Sequence, residues 1–313
     1  PSADLKDGIN YIDDNTVTLV LYAPFKDFVF VNGSFSDWQL LPENQMYRTP
    51  DENRYWITLD NLTAGEEYAF QYIVDGEITI ADPYTDKILD PWNDSYIAES
   101  TYPNLMPYPT GDAEGIVSTF QTAQTPYDWQ VENFTRPANE DLVIYELLVR
   151  DFVAAHDYQT LIDTINYLKN LGVNAIELMP VSEFEGNSSW GYNPSFYFAP
   201  DKYYGTKDDL KAFIDVCHQN GIAVILDMVL NHSYGQSPFV QLYFDPSAGE
   251  YGQPTPENPW YNETSPNPTY YWGFDFDHES PQTKEFVNRV TTYWLDEYKF
   301  DGFRFDFTKG FTN

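Results

Sequence analysis

Two short stretches of the chain gather the side chains most able to do chemistry. One is Asp227-Met-Val-Leu-Asn231-His232 and the other is Arg304-Phe-Asp306. Each follows or ends a run of apolar residues. A charge at the end of an apolar strand is costly to bury unless something pairs with it. Arg304 and Asp306 stand two apart, so on a strand their side chains point the same way. A guanidinium beside a carboxylate favours the ionised carboxylate, which a nucleophile or a ground-state anion requires. The spacing alone leaves a second reading open, a structural ion pair, because charges are also perturbed in structural networks.

Positioning these groups calls for strands and helices in alternation, and the sequence from 141 onward supplies them. Apolar runs near 142–148, 173–178, 222–227 and 301–306 read as strands. Between them lie amphipathic patterns: Leu161, Ile165 and Leu168 on one face; Leu210, Phe213, Ile214 and Cys217 on another; and Phe286, Val290 and Trp294 on a third. Thr206 and Ser280-Pro281 have the chemistry of helix starts, and Gly172 and Gly221 that of helix stops. Continuous apolar strands alternating with helices imply βαβ units and a parallel sheet. Two connections are long, roughly 181–205 and 233–279. Both leave the C-terminal end of a strand, where parallel α/β folds place their sites.

Residues 1–100 have a different rhythm. Short alternating runs at Val17–Leu21, 28–31, 55–59 and 68–74 end in Asn-Gly, Ala-Gly and Asp-Gly turns, the pattern of a small β-sandwich. Trp56 lies in an alternating strand and is expected in the core. Residues 101–140 are proline-rich and read as a connector.

Composition sets outer bounds. The 313 residues carry 16 Lys+Arg against 49 Asp+Glu, a formal charge of −33. Such a chain repels phosphate backbones and anionic lipid, which argues against nucleic-acid or membrane-surface partners. With 42% hydrophobic and 18% aromatic residues it has ample material for a core. No stretch is long and apolar enough to span a bilayer. One cysteine, Cys217, excludes an intrachain disulfide and a Cys-based zinc site, and its place on an apolar helix face marks an inert core thiol. Pro1 suggests a processed or engineered start. An acidic chain with one thiol fits a secreted or periplasmic bacterial protein, with a cytoplasmic one as the alternative.

These motifs together resemble the α-amylase superfamily of glycoside hydrolases and transglycosylases, which are (β/α)8 TIM-type barrels. Asp227 to His232 is similar to its strand-three motif and Gly302-Phe-Arg304-Phe-Asp306-Phe-Thr-Lys309 to its strand-four motif. Gly172-Val-Asn-Ala-Ile-Glu-Leu-Met-Pro180 resembles the strand-two signature. Trp190-Gly-Tyr192-Asn with Tyr203-Tyr-Gly205-Thr resembles the loop that follows it. The resemblance covers 141–313 and about four of the eight β/α units. It implies Asp306 as nucleophile of a covalent glycosyl-enzyme, Arg304 orienting it, and Asp227 shaping the same pocket. It also implies Tyr192 stacking under the sugar, His232 hydrogen-bonding it, and Trp190 and Lys309 on the substrate side. No cofactor is required. Asn231 is often a calcium ligand in that superfamily, so a structural Ca2+ is one expectation and a loop-bracing Asn the other. Where the superfamily often has His, this chain has Gly310.

The resemblance also implies a partner, an α-glucan such as starch, glycogen or pullulan, cleaved at α-1,4 or α-1,6 bonds. A branching transglycosylase is the nearest alternative, and a non-catalytic glucan-binding protein the alternative from another class. The superfamily's general acid and third carboxylate would lie beyond residue 313, so the piece alone is expected to be inactive. Glu177, Glu183 and Glu185 match no acid motif and are expected in surface or loop roles. Residues 31–38, 70–76 and 81–84 resemble the starch- and glycogen-binding-type β-sandwich. There Trp38 fits one sugar contact, while Gln71 and Ile78 replace the other two, so a packing role is expected.

Overall fold

The computed structural model describes residues 4–267, 269 and 272–311. These fold as two compact units.

The first unit comprises 1–94, 106–125 and 235–258. Its two larger sheets are antiparallel. One runs in the order Gly8–Asp13, Thr16–Tyr22, Arg54–Leu59, Tyr47–Arg48. The other runs Val29–Gly33, Glu67–Val74, Val117–Gln121, Ile88–Leu89, with Ile78–Ile80 also paired to Glu67–Val74. Val17, Leu19, Leu21, Tyr55, Ile57, Phe70, Tyr72 and Phe120 are buried in this unit. The strand Val117–Gln121 lies within the stretch that reads as a connector. Its alternation is short, but Phe120 stacks on Tyr68 at 5.4 Å and the strand completes a sheet. Trp56 is not core. Its neighbours Tyr55 and Ile57 point inward, so strand alternation turns Trp56 to the other face, where it is half-buried against Tyr47.

Residues 235–258 are a second departure from the sequence pattern, which shows one long loop over 233–279. Tyr243 donates its hydroxyl to the Pro24 carbonyl at 2.5 Å, and Phe239 meets Tyr84 edge-on at 5.7 Å. That half of the loop is therefore packed in the first unit, a tertiary fact with no local signal.

The second unit holds four parallel strands in sequential order: β1 (Ile144–Leu147), β2 (Ala175–Leu178), β3 (Ala223–Met228) and β4 (Gly302–Phe305). Its helices include α1 (Tyr158–Ile162), α2 (Ile165–Asn170), α3 (Lys207–Gln219) and α4 (Pro281–Tyr298). The first helical pattern of the sequence is thus two short helices, broken at Asp163 and Thr164. Thr206 opens α3 in a full capping box with Asp209, and the Ser280 side chain caps α4. Helix residues Leu161, Leu168, Leu210, Phe213, Cys217, Phe286, Val290 and Trp294 are buried, as are strand residues Ile176, Leu178, Val224 and Leu226. Burial pushes the Cys217 thiol pKa up, consistent with an inert thiol.

Register decides what lies on the opposite face of this sheet. Glu146 pairs with Glu177, Glu177 with Ile225, and Asp227 with Arg304. Paired residues of neighbouring strands share a face, as do residues two apart on one strand. Glu146, Glu177, Asp227 and Arg304 therefore project to one side. The two outer strands are the least covered: Val143, Ile144 and Phe305 are exposed.

Candidate active site

Asp227 is the centre of the site. It sits at the C-terminal end of β3 with a fully buried side chain. The Tyr192 hydroxyl donates to its Oδ2 at 2.7 Å, and Arg304 Nη1 donates to its two oxygens at 3.0 and 3.1 Å. The same Nη1 donates to Asp306 Oδ1 at 2.5 Å. One guanidinium nitrogen thus ties the carboxylates of β3 and of the residue just past β4. Asp306 keeps 21% of its side chain exposed, so it remains accessible to a ligand.

The electrostatics follow from this geometry. Burial raises the Asp227 pKa, and the bonds from Tyr192 and Arg304 only partly offset it. Burial and the bond to Asp227 push the Tyr192 phenol far up, so it stays protonated and remains a donor. Burial works against the Arg304 charge, but its bonds to Asp306 and Asp227 outweigh this and raise its pKa.

His232 follows β3 directly and is buried. Asn231 Nδ2 lies 2.7 Å from His232 Nδ1, and His232 Nε2 lies 2.9 Å from the Tyr192 carbonyl. An amide nitrogen only donates, so Nδ1 accepts, and the ring proton sits on Nε2 and is given to Tyr192. Burial lowers the His232 pKa against the opposing pull of the Tyr192 carbonyl and Asp306, which agrees with a neutral ring. Both ring nitrogens are therefore engaged. In this arrangement His232 braces the segment carrying Tyr192, and it can reach a sugar hydroxyl only by sharing its Nε2 proton.

The stretch 181–205 is not an irregular loop. Ser182–Phe184 and Pro194–Pro200 form an antiparallel hairpin. Its crest bears Trp190, Gly191 and Tyr192. Gly191 has φ +90°, and a Cβ there would stand 2.4 Å from the Pro180 carbonyl oxygen, so only glycine lets the crest approach the end of β2. The Tyr197 hydroxyl donates to the His232 carbonyl at 2.7 Å, tying the hairpin to the segment after β3.

The other sequence-derived candidates are placed as follows. Trp190 is 58% exposed, two residues from Tyr192. Lys309 is exposed on the turn Thr308–Phe311. Trp38 is half-buried in the first unit, in left-handed backbone at φ 56°.

Two expectations need correction. Glu183 is buried in an ion pair with Lys202, not on the surface. Glu177 faces the site, where burial and the charges of Asp227 and Glu146 raise its pKa. With Glu146 and Asp227 it forms a set of carboxylates whose oxygens come within 4.8 Å of one another. Glu146 is a residue that motif reading passes over. Its signal is a carboxylate in mid-run of the apolar segment at 144–147, in register with Glu177.

A calcium role for Asn231 can be tested on its own atoms. Its Oδ1 is buried without a hydrogen-bond partner, which supplies one oxygen of the about six to eight that calcium takes. Among the described residues, the one acidic set close enough to share an ion is Glu146, Glu177 and Asp227, and its Asp227 is already engaged by Arg304 and Tyr192. Among the described residues, this acidic set does not supply Asn231 with a calcium shell.

Residues 131–312 match the family model for the α-amylase catalytic domain. The match spans more than half of the chain and includes every residue of the cluster just described. The chain belongs to the α-amylase family. Similar curated proteins include a malto-oligosyltrehalose trehalohydrolase from Saccharolobus solfataricus, 28% identical over 94% of this chain and 44% of that protein. Another is a 1,4-α-glucan branching enzyme from Thiobacillus denitrificans, 30% identical over 91% of this chain and 36% of that protein. Among solved structures, type I pullulanase from Bacillus subtilis, solved with maltose, superposes with a TM-score of 0.70 at 25% identity. It is covered over 43% of its length by 96% of this chain. Pullulanase from Paenibacillus barengoltzii shares the fold, with a TM-score of 0.71 at 22% identity over 97% of this chain and 49% of that one. This α-amylase family chain thus spans less than half the length of these relatives. No described helix is long and apolar enough to cross a membrane.

Proposed function

We propose that the chain is the leading part of an α-glucan-active retaining glycosidase. In this reading the first unit is a glucan-binding-type β-sandwich. The second is the first half of an eight-stranded barrel, whose exposed outer strands pair with strands from the rest of the protein. The observation that carries the reading is the Arg304 nitrogen shared by Asp227 and Asp306, with the Tyr192 hydroxyl closing on Asp227.

In that role the Asp306 oxygen attacks the anomeric carbon as the glycosidic C–O bond breaks. A general acid outside this chain gives its proton to the leaving oxygen. Water then opens the glycosyl ester, and the configuration is retained. Arg304 fixes the nucleophile's orientation. The Tyr192 ring and the negative carboxylates favour the positive charge that develops on the sugar in the transition state. Glu177 is unsuited to the acid's part: it pairs with Ile225, two residues deeper in the sheet than Asp227.

The likeness to branching enzymes supports a second reading, transfer of the glycosyl unit to another glucan instead of water. Incubating the whole protein with amylose and with pullulan separates the two. Hydrolysis raises total reducing ends, whereas branching leaves them nearly constant while adding α-1,6 bonds. No change in either glucan would overturn both.

A further inference from the structure

We propose that Trp272 is a specificity-determining residue of the site: its ring is the stacking platform for the glucose unit next to the one whose bond is cleaved, so it selects chains over single sugars. The sugar class rests on the glycosidase reading above; the placement of the ring rests on the structure.

Trp272 lies in the long stretch between β3 and α4, and its backbone is fixed against the segment that carries His232. Phe274 and Asp275 pair antiparallel with Ser233 and His232. Gly273 has φ +56°, and a Cβ there would stand 2.4 Å from the Ser233 carbonyl oxygen and 3.0 Å from His232 Cδ2. Only glycine lets the chain come this close, and the residue before it is thereby brought to the rim of the site. The Asp275 carboxylate accepts from Asn262 Nδ2 at 2.8 Å and from Ser265 Oγ at 3.1 Å, which ties the same short ladder to the preceding loop.

The indole ring meets Phe307, the residue that follows Asp306. The two centroids are 4.8 Å apart and the planes stand at 82°. In an edge-to-face pair one ring turns its edge to the other's face, so Phe307 covers at most one face of the indole. Trp272 is 51% exposed. An indole face open to water thus stands beside the residue next to the proposed nucleophile, whose own carboxylate is partly open to water. Among the described tryptophans of the second unit, Trp260 and Trp294 are buried, and the exposed ones are Trp190 and Trp272. Both adjoin the site, Trp190 beside Tyr192 and Trp272 beside Phe307. The turn after Asp306 has no room for such a ring at Gly310, where a Cβ would stand 2.7 Å from Asn231 Cβ. A flat apolar face suits the C–H surface of a neutral pyranose and does not read its separate hydroxyls. What it recognises is the presence of a further sugar, hence chain length.

The test compares kcat/KM of the whole protein on a polymeric glucan, amylose or pullulan, with that on α-glucosyl fluoride, which carries the reacting sugar alone. Trp272→Ala should lose about tenfold more on the polymer than on the fluoride. Trp272→Phe, which keeps a ring, should recover most of that loss, and Trp272→Leu should not. Trp92→Ala, which removes an exposed ring of the first unit, should change neither value. Should Trp272→Ala lower the unfolding midpoint, the comparison of Phe with Leu decides alone, because both keep an apolar contact with Phe307 and one keeps a ring. Equal losses on the two substrates, no loss on the polymer, or rescue by Leu as complete as by Phe would each overturn the proposal. Maltotetraose binding, followed by tryptophan fluorescence, parts it from the catalytic reading. A protein that turns over neither substrate but binds maltotetraose more weakly in Trp272→Ala sinks the catalytic reading and keeps the platform. One that cleaves the polymer equally well in every Trp272 variant does the reverse.

Discussion

Replacing Tyr192 by Phe removes one hydroxyl and keeps the ring, so it isolates the 2.7 Å bond to Asp227. A hydrogen bond to a charged group contributes about 1.5–3 kcal/mol. Asp227 Oδ2 still accepts from Arg304 at 3.1 Å, so it is not orphaned and the lower figure applies. A loss of about 1.5 kcal/mol lowers the unfolding midpoint of a unit this size by about 3–6 °C. The pH dependence carries a sign. The Asp227 pKa is raised above 3.8 in the folded chain. Its stabilising contribution is therefore full below pH 3.8 and is lost as pH rises through the folded value. The Tyr192 bond restrains that rise, so removing it lifts the Asp227 pKa further. The Tyr192→Phe deficit should be small in acid and grow as the pH climbs through the Asp227 titration. Thermal unfolding followed by tryptophan fluorescence from pH 3.5 to 8, with the exposed Tyr167→Phe as control, reads this directly. An unchanged midpoint at pH 7, or a deficit that grows toward acid, would refute the reasoning.

Two further outcomes follow from the same geometry. Asp227→Asn removes a charge that burial disfavours while keeping the shape and an acceptor for Tyr192. It should retain or gain thermal stability at pH 7, with the difference fading toward pH 3.8, and the whole protein should lose turnover; a large loss of stability at pH 7 would contradict the raised pKa. Gly191→Ala forces a Cβ against the Pro180 carbonyl in left-handed backbone. Strain of about 1–3 kcal/mol should lower the midpoint and release the Tyr192 crest to proteolysis, and a variant as stable and resistant as wild type would show that the crest does not approach Pro180.

Much of the site was legible because its residues act through short spacing. Arg304 on β4 and Asp306 just past it are two apart, and Asn231-His232 adjoin the end of an apolar run, so local rules place them. The helix starts at Thr206 and Ser280 were readable for the same reason: capping is a contact within one turn. What escaped was set by contacts distant in sequence. The burial of 235–258 with the first unit depends on Tyr243 reaching Pro24, more than two hundred residues earlier. The strand Val117–Gln121 has its meaning only against Glu67–Val74. Glu146 joins the acidic face through register, which a single strand does not encode. For Trp56, alternation says that a residue faces one side without saying which side is the core.

The account stands most directly on the carboxylate at position 306. The whole protein can be incubated with a glucosyl or maltosyl fluoride fluorinated on the ring, which slows release of the glycosyl-enzyme more than its formation. Peptide mass spectrometry of the digest should find the sugar ester on Asp306, and Asp306→Asn should carry none. An adduct on another carboxylate, or glucan cleavage that persists in Asp306→Asn, would contradict the account.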